Sequence, residues 1–177
     1  MNKIIFTLTI FLILIGFGNY SFADMYADPV IIIETNLGNL VIELFVADAT
    51  EHVKNFLFLS SSGASDKSYY DNTLFHRIIP GFMIQGGDPN TIDGDPNTWG
   101  QGGPDTKLDA EFNSIKHNRG IVSMARSADP NSAGSQFFIV HQDSNSLDGE
   151  YTAFGRLANE ESFETLDKIA AVATGTN

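Results

Sequence analysis

The chain reads as a mainly β, antiparallel domain with two amphipathic helices. Three observations predict this class. Short runs rich in β-branched and aromatic residues recur from Val30 to Leu157, with turn-forming residues between them. Only two stretches, near Thr50–Ser61 and after Ser162, space their apolar residues at a helical period. There is no internal repeat and no low-complexity linker, and 177 residues suit one domain of ordinary size. The pattern alone supports a closed barrel and a sandwich equally.

The elements follow in order. Met1–Ala23 has the layout of a secretory signal: Lys3, the apolar run Ile4–Phe17, then the small-residue end Ser21-Phe22-Ala23. The run is shorter than the roughly 20 residues that span a bilayer, and no cysteine follows to take a lipid. The expected organisation is a leader over residues 1–23 and one domain over 24–177. Val30–Glu34 and Leu40–Leu44 flank the turn Asn36-Leu37-Gly38-Asn39 and predict a hairpin. Asp48-Ala49-Thr50-Glu51 has capping-box spacing and opens a helix whose face holds Val53, Phe56, Leu57 and Ser60. Ser60–Ser65, with Gly63, ends it. Leu74–Ile79 and Phe82–Gln85 are strands around Pro80-Gly81, and Pro89–Pro104 is a loop. Gly120–Ala125, Gln136–His141 and Ala153–Leu157 predict three more strands. Ser162 is the expected cap of a last helix that turns Phe163, Leu166, Ile169 and Ala170 to one side.

The net charge is −12, and loss of Met1–Ala23 would remove one lysine and no acid. Phosphate backbones and anionic lipid surfaces repel such a chain, which argues against nucleic-acid binding. With no cysteine there is no disulfide, thiol chemistry or cysteine-based zinc site. His52, His76, His117 and His141 lack a ligand spacing, so no metal is expected. Ser135 shows no histidine–carboxylate partner set, which disfavours nucleophilic hydrolysis.

The most telling run is Phe75-His76-Arg77-Ile78-Ile79-Pro80-Gly81-Phe82-Met83-Ile84-Gln85-Gly86-Gly87-Asp88. It sets a permanent cation and an amide beside apolar side chains, which suits a greasy ring next to a polar backbone, as proline in a peptide presents. With Ser135-Gln136-Phe137-Phe138 it closely resembles the cyclophilin family of peptidyl-prolyl cis-trans isomerases, and the resemblance runs from about Val30 to about Thr174. It implies an eight-stranded antiparallel barrel closed by two helices, and a cofactor-free isomerase acting on X-Pro segments of unfolded or exported polypeptides. Arg77 and Gln85 would be catalytic. Phe82, Met83, Phe138 and Leu147 would line the proline pocket. Gly100, Ala125, Arg126, Ser127, Gln136 and Tyr151 would complete the substrate groove, with Gly100-Gln101-Gly102-Gly103 as a glycine turn and His76 supporting Arg77 from behind.

Three positions depart from the best-known eukaryotic members: Arg126 for asparagine, Ser146 for tryptophan and Tyr151 for histidine. Met124-Ala125-Arg126-Ser127-Ala128-Asp129 resembles the bacterial secreted branch. Without the indole, weak cyclosporin binding is expected. Family members continue past the last helix into a strand beside the N-terminal one. Here Thr174-Gly175-Thr176-Asn177 follows: either the sequence is truncated or the barrel lacks its closing strand, and a missing strand would leave an exposed edge, lower stability or edge-mediated association. The expected protein is otherwise a monomer, free of the membrane once its leader is removed, and exported to a periplasm or to the cell exterior. A proline-binding chaperone with little catalysis and an edge-pairing assembly protein are the alternatives.

Overall fold

The computed structural model describes residues 7–10, as backbone, and residues 28–61 and 67–172 in full. Eight strands form one sheet: β1 Thr7–Ile10, β2 Val30–Thr35, β3 Gly38–Leu44, β4 Arg77–Ile79, β5 Met83–Gly86, β6 Ile121–Met124, β7 Phe137–Val140 and β8 Ala153–Leu157. Their spatial order is β1-β2-β3-β8-β6-β7-β5-β4, with every neighbouring pair antiparallel. Helix α1 spans Thr50–Ser60, the single turn α2 Asn90–Asp93, and α3 Glu160–Ala170.

The expected closed eight-stranded barrel is corrected to an open curled sheet. Seven antiparallel strands run from Val30 to Leu157, and Thr7–Ile10 lies along the outer edge of β2. Closure needs a ladder between the two end strands, and among the described residues none joins β1 to β4. β4 has only three residues before Pro80, which has no N–H to extend a ladder. The rest of the expected leader lies outside the described residues, as does the C-terminal segment from Thr174 on. No helix among the described residues is long and apolar enough to cross a membrane.

Side-chain alternation divides the sheet into two apolar faces. Phe137 and Ile139 of β7, Ile84 of β5 and Val122 and Met124 of β6 join the main core with Ile31, Leu40, Ile42 and Leu44. The residues between them, Phe138, Val140 and Met83, form a second cluster on the outer face. A strand buried on both sides reads as an unbroken apolar run, which explains the sequence Phe137-Phe138-Ile139-Val140. Helix α1 closes the core from one side. Its Phe56 ring meets Tyr70, Phe137 and Phe154 at centroid distances of 5.1, 5.4 and 5.1 Å.

Both helices are capped differently from expectation. Ala49 occupies the cap of α1 and Asp48 makes no side-chain cap; Glu51 turns outward to Lys54. The free N–H groups of Glu51 and His52 donate instead to the Glu111 carboxylate, at 3.1 and 2.9 Å. An acid 59 residues away satisfies the helix end and favours its dipole. Asn159, not Ser162, caps α3: its Oδ1 accepts from the Ser162 N–H at 3.0 Å. Ser162 itself is inside the helix, and its hydroxyl accepts the Val41 N–H at 2.8 Å, which fastens α3 to β3.

Candidate active site on the outer face of the sheet

The β4–β5 hairpin positions the site. Its turn needs a residue at positive φ, which Gly81 supplies at 78°. The Phe82 N–H closes the turn on the Ile79 carbonyl at 3.0 Å, and the Gly81 N–H donates to Nδ1 of His141. The resulting register pairs Arg77 with Gln85, Gln85 with Phe138, and Phe138 with Ser123. Residues directly opposite in antiparallel strands project to the same face. The guanidinium, amide, aromatic ring and hydroxyl therefore form one row across four strands.

Hydrogen bonds run along this row. Arg77 Nη1 donates to Gln85 Oε1 at 3.4 Å, a long contact, and the guanidinium is exposed. Gln85 Nε2 donates to Gln136 Oε1 at 2.9 Å, and Gln136 Nε2 donates to the Gly102 carbonyl at 2.8 Å. The glycine turn is held by Asp88, a fully buried carboxylate that accepts the N–H groups of Asn90 and Gly100. A Cβ at Gly102 would lie 2.1 Å from Asp88 Oδ1, so the loop packs this closely only with glycine there.

The apolar half of the site is the second cluster. It joins Met83, Phe138 and Val140 with the half-buried Ile79, Phe82, Ile121, Ala125, Leu147 and Tyr151. The structure thus brings the predicted Phe82, Met83, Phe138, Leu147 and Tyr151 together, and adds Ile79, Ile121 and Val140. Tyr151 stands edge-on to Phe138 at 5.4 Å. The remaining predicted residues line an adjoining cavity of about 380 Å³, among them Gln85, Gly100, Ala125, Arg126, Ser127 and Gln136. Ala125 belongs to both halves, and its N–H is spent on the Gln136 carbonyl at 2.9 Å. Arg126 is folded back: Nε donates to the Glu150 carbonyl, and the guanidinium lies 4.7 Å from the Tyr151 ring centre. Its side chain is only 15% exposed, so much of its charge is spent on the 150–151 turn.

One arrangement escaped the sequence reading. Ser123 Oγ lies 2.9 Å from His117 Nε2, and His117 Nδ1 lies 3.1 Å from Asp148 Oδ1. Serine, histidine and aspartate in line resemble a nucleophilic triad. Ser123 and His117 are both fully buried, so no substrate carbonyl reaches the hydroxyl. The three residues lie 6 and 31 positions apart in no motif, and only the fold joins them. Ser135, by contrast, donates to the Gly87 carbonyl at 2.8 Å. Among the described residues no group of three or more histidine, aspartate or glutamate side chains could hold a metal ion.

Burial pushes His76 and His117 below the ordinary imidazole value, against the opposing pull of Asp88 and Asp148 respectively. Asp148 is held at about 2, chiefly by the His117 N–H. In the unfolded chain both rings titrate at about 6.5. The unfolded state therefore takes up protons first as the pH falls. Stability from the two neutral rings is complete above about 6.5 and is lost as pH drops towards their lower folded values. The melting temperature is expected to be level from about pH 7 to 8 and to fall as the pH drops below about 6.5, and thermal scans downward from pH 8 check it.

Residues 30–177 match the model of the cyclophilin-type peptidyl-prolyl cis-trans isomerase family. The chain is 44% identical over 146 residues to a peptidyl-prolyl cis-trans isomerase of Arabidopsis thaliana, covering 81% of this chain and 83% of that one. It is 42% identical over 139 residues to one from Helicobacter pylori, covering 77% and 78%. A crystal structure of a cyclophilin-type isomerase from Cryptosporidium parvum, in the presence of the dipeptide Ala-Pro, superposes with a TM-score of 0.70. Their sequences are 41% identical, and the match covers 82% of this chain and 87% of that one. The chain belongs to the cyclophilin-type peptidyl-prolyl cis-trans isomerase family. It is an enzyme that catalyses rotation about X-Pro peptide bonds.

Proposed function

We propose that the outer-face row is where the reaction takes place, with the proline ring between Phe138, Met83, Phe82, Leu147 and Tyr151 and its carbonyl at Arg77. The observation that carries this is the register Arg77–Gln85–Phe138, which puts an exposed cation on the same row as an aromatic floor. The chemistry fits. The X-Pro bond rotates over a barrier of roughly 18–20 kcal/mol because the C–N bond is partly double. Uncatalysed exchange takes about 10–100 s. Millisecond turnover requires about 5.4 kcal/mol, a factor of roughly 10⁴. No bond breaks, so no nucleophile is needed. A guanidinium held at the proline carbonyl also lies beside the prolyl nitrogen, where its positive charge stabilises the lone pair that localises there as the amide twists. The apolar walls favour the same state, because it is less polar than the planar amide. Gln85 aims Arg77 and ties it to the Gly100–Gly103 turn.

A protease-coupled X-Pro assay on the chain and on Phe138→Ala tests the placement. The variant is expected to lose most of its affinity for the peptide, and an unchanged KM overturns it. Ser146 is exposed on the 3-10 turn Asn145–Leu147, so no indole covers that rim. Half-inhibition by cyclosporin is expected only above about 100 nM, and nanomolar inhibition would count against it.

We also propose that the clients are exported polypeptides and that the enzyme works outside the cytoplasm, as in the bacterial secreted branch. Lys3, Ile4–Phe17 and Ser21-Phe22-Ala23 support this. Cell fractionation with N-terminal sequencing tests it: a chain starting at Asp24 outside the cytoplasm is expected, and an intact cytoplasmic chain overturns it.

A further inference from the structure

The Ser123–His117–Asp148 line reaches between the two walls of the apolar pocket. His117 lies flat against Phe138, ring centres 6.1 Å apart and planes 19° from parallel. Phe138 is the floor, fixed on β7. The opposite wall is different. Leu147 and Tyr151 sit on the segment 144–151, which contributes to no strand. The hydrogen bonds and ion pairs that fasten it run through Lys116–Asn118 on one side and Arg126 on the other.

His117 makes most of the first attachment. Its N–H and Nδ1 both meet Asp148 Oδ1, at 2.8 and 3.1 Å, and its carbonyl accepts the Ser144 N–H at 2.8 Å. Asp148 directly follows Leu147, and the Glu150 N–H closes on the Leu147 carbonyl at 3.0 Å. A carboxylate only accepts hydrogen bonds, so Nδ1 carries the ring proton and Nε2 accepts from the Ser123 hydroxyl. The imidazole is thereby locked in one tautomer and one orientation, touching floor and wall at once.

We propose that His117 and Asp148 form a positioning clasp, which sets how the Leu147–Tyr151 wall stands against the Phe138 floor and so determines how tightly the enzyme holds a prolyl ring. The proposal rests on the reading of that floor and wall as the proline site. The clasp touches no reacting atom, so it acts on substrate affinity and not on the rotation step.

The test is steady-state kinetics of the full chain, Asp148→Ala and Asp148→Asn on one X-Pro peptide, with a thermal melt of each. Asparagine keeps an acceptor oxygen for the His117 N–H and Nδ1–H, and alanine does not. Expected is a KM raised about three- to tenfold in Asp148→Ala with kcat within about twofold, and recovery of KM in Asp148→Asn. Overturning results are an unchanged KM in Asp148→Ala, a fall in kcat alone, or no recovery in Asp148→Asn. Should Asp148→Ala not fold, nitrogen-15 NMR of the wild-type imidazoles decides. A proton on Nδ1 of His117, with ring resonances that move when the peptide is added, supports the clasp. A proton on Nε2, or resonances indifferent to peptide, overturns it. Phe138→Ala with unchanged KM refutes the proline site itself, whereas wild-type KM in Asp148→Ala beside a weakened Phe138→Ala refutes the clasp alone.

Discussion

Arg77→Ala is expected to lose about 10- to 150-fold in kcat/KM, because a hydrogen bond from a charged donor is worth about 1.5–3 kcal/mol. The fold should be untouched. Arg77 is exposed, its side-chain partner is Gln85 at 3.4 Å, and it begins a three-residue strand whose ladder uses backbone atoms only. The melting temperature and circular dichroism should therefore match the parent. The predicted loss is smaller than the roughly 10⁴ the reaction needs, so the variant keeps residual turnover from the pocket walls. Arg77→Lys should recover little. An ammonium is a point charge without the planar fork that meets both Gln85 and a carbonyl. Retention of more than about a third of wild-type kcat/KM in Arg77→Ala would move the catalytic role to another residue on the row, Gln85 first.

How much of this was legible beforehand follows from distance along the chain. Arg77, Phe82, Met83 and Gln85 fall within nine residues on one hairpin, so a local motif carries their geometry. Phe138 on β7 and Gln136 just before it were legible for the same reason. The strands from Val30 on appeared within a few residues of their observed ends, whereas Thr7–Ile10 was not expected as a strand; Leu74–Phe75 and His76 turned out to approach β4 as a loop. One miss is local, the cap of α3 at Asn159 in place of Ser162; the others are long-range. The cap of α1 is a carboxylate from residue 111, which no inspection of Asp48–Glu51 reveals. Ser123, His117 and Asp148 meet because an ordinary loop folds back over the outer face of β6 and β7. Arg126 reads as an added charge at the groove, yet the Glu150 carbonyl and the Tyr151 ring hold its guanidinium aside. The pattern of apolar strands determines which faces are greasy, but closure depends on which end strands find each other. The barrel expectation was wrong on that point.

Phe56→Ala should have the largest effect on stability of any single truncation on α1. Its ring is 1% exposed and contacts three other aromatic rings, so removal opens a cavity that rigid neighbours cannot fill. Such a change costs about 3–5 kcal/mol. At about 2–4 °C per kcal/mol for a domain of this size, the melting temperature should fall by about 6–20 °C. The effect on activity has a separate reason. Phe137 meets Phe56 edge-on from the core side, and its chain neighbour Phe138 points to the other face, where it is the proposed pocket floor. Backbone between them is pinned on both sides by ladders to β5 and β6. The loosened core should therefore leave kcat/KM at 15 °C within about threefold of wild type while the midpoint drops, because the row is built on main-chain register and not on the Phe56 ring. A drop in midpoint below about 3 °C would mean that the Tyr70, Phe137 and Phe154 rings collapse into the space. Activity lost in parallel with stability at low temperature would mean that packing on the core face, as well as strand register, sets the geometry of the outer one.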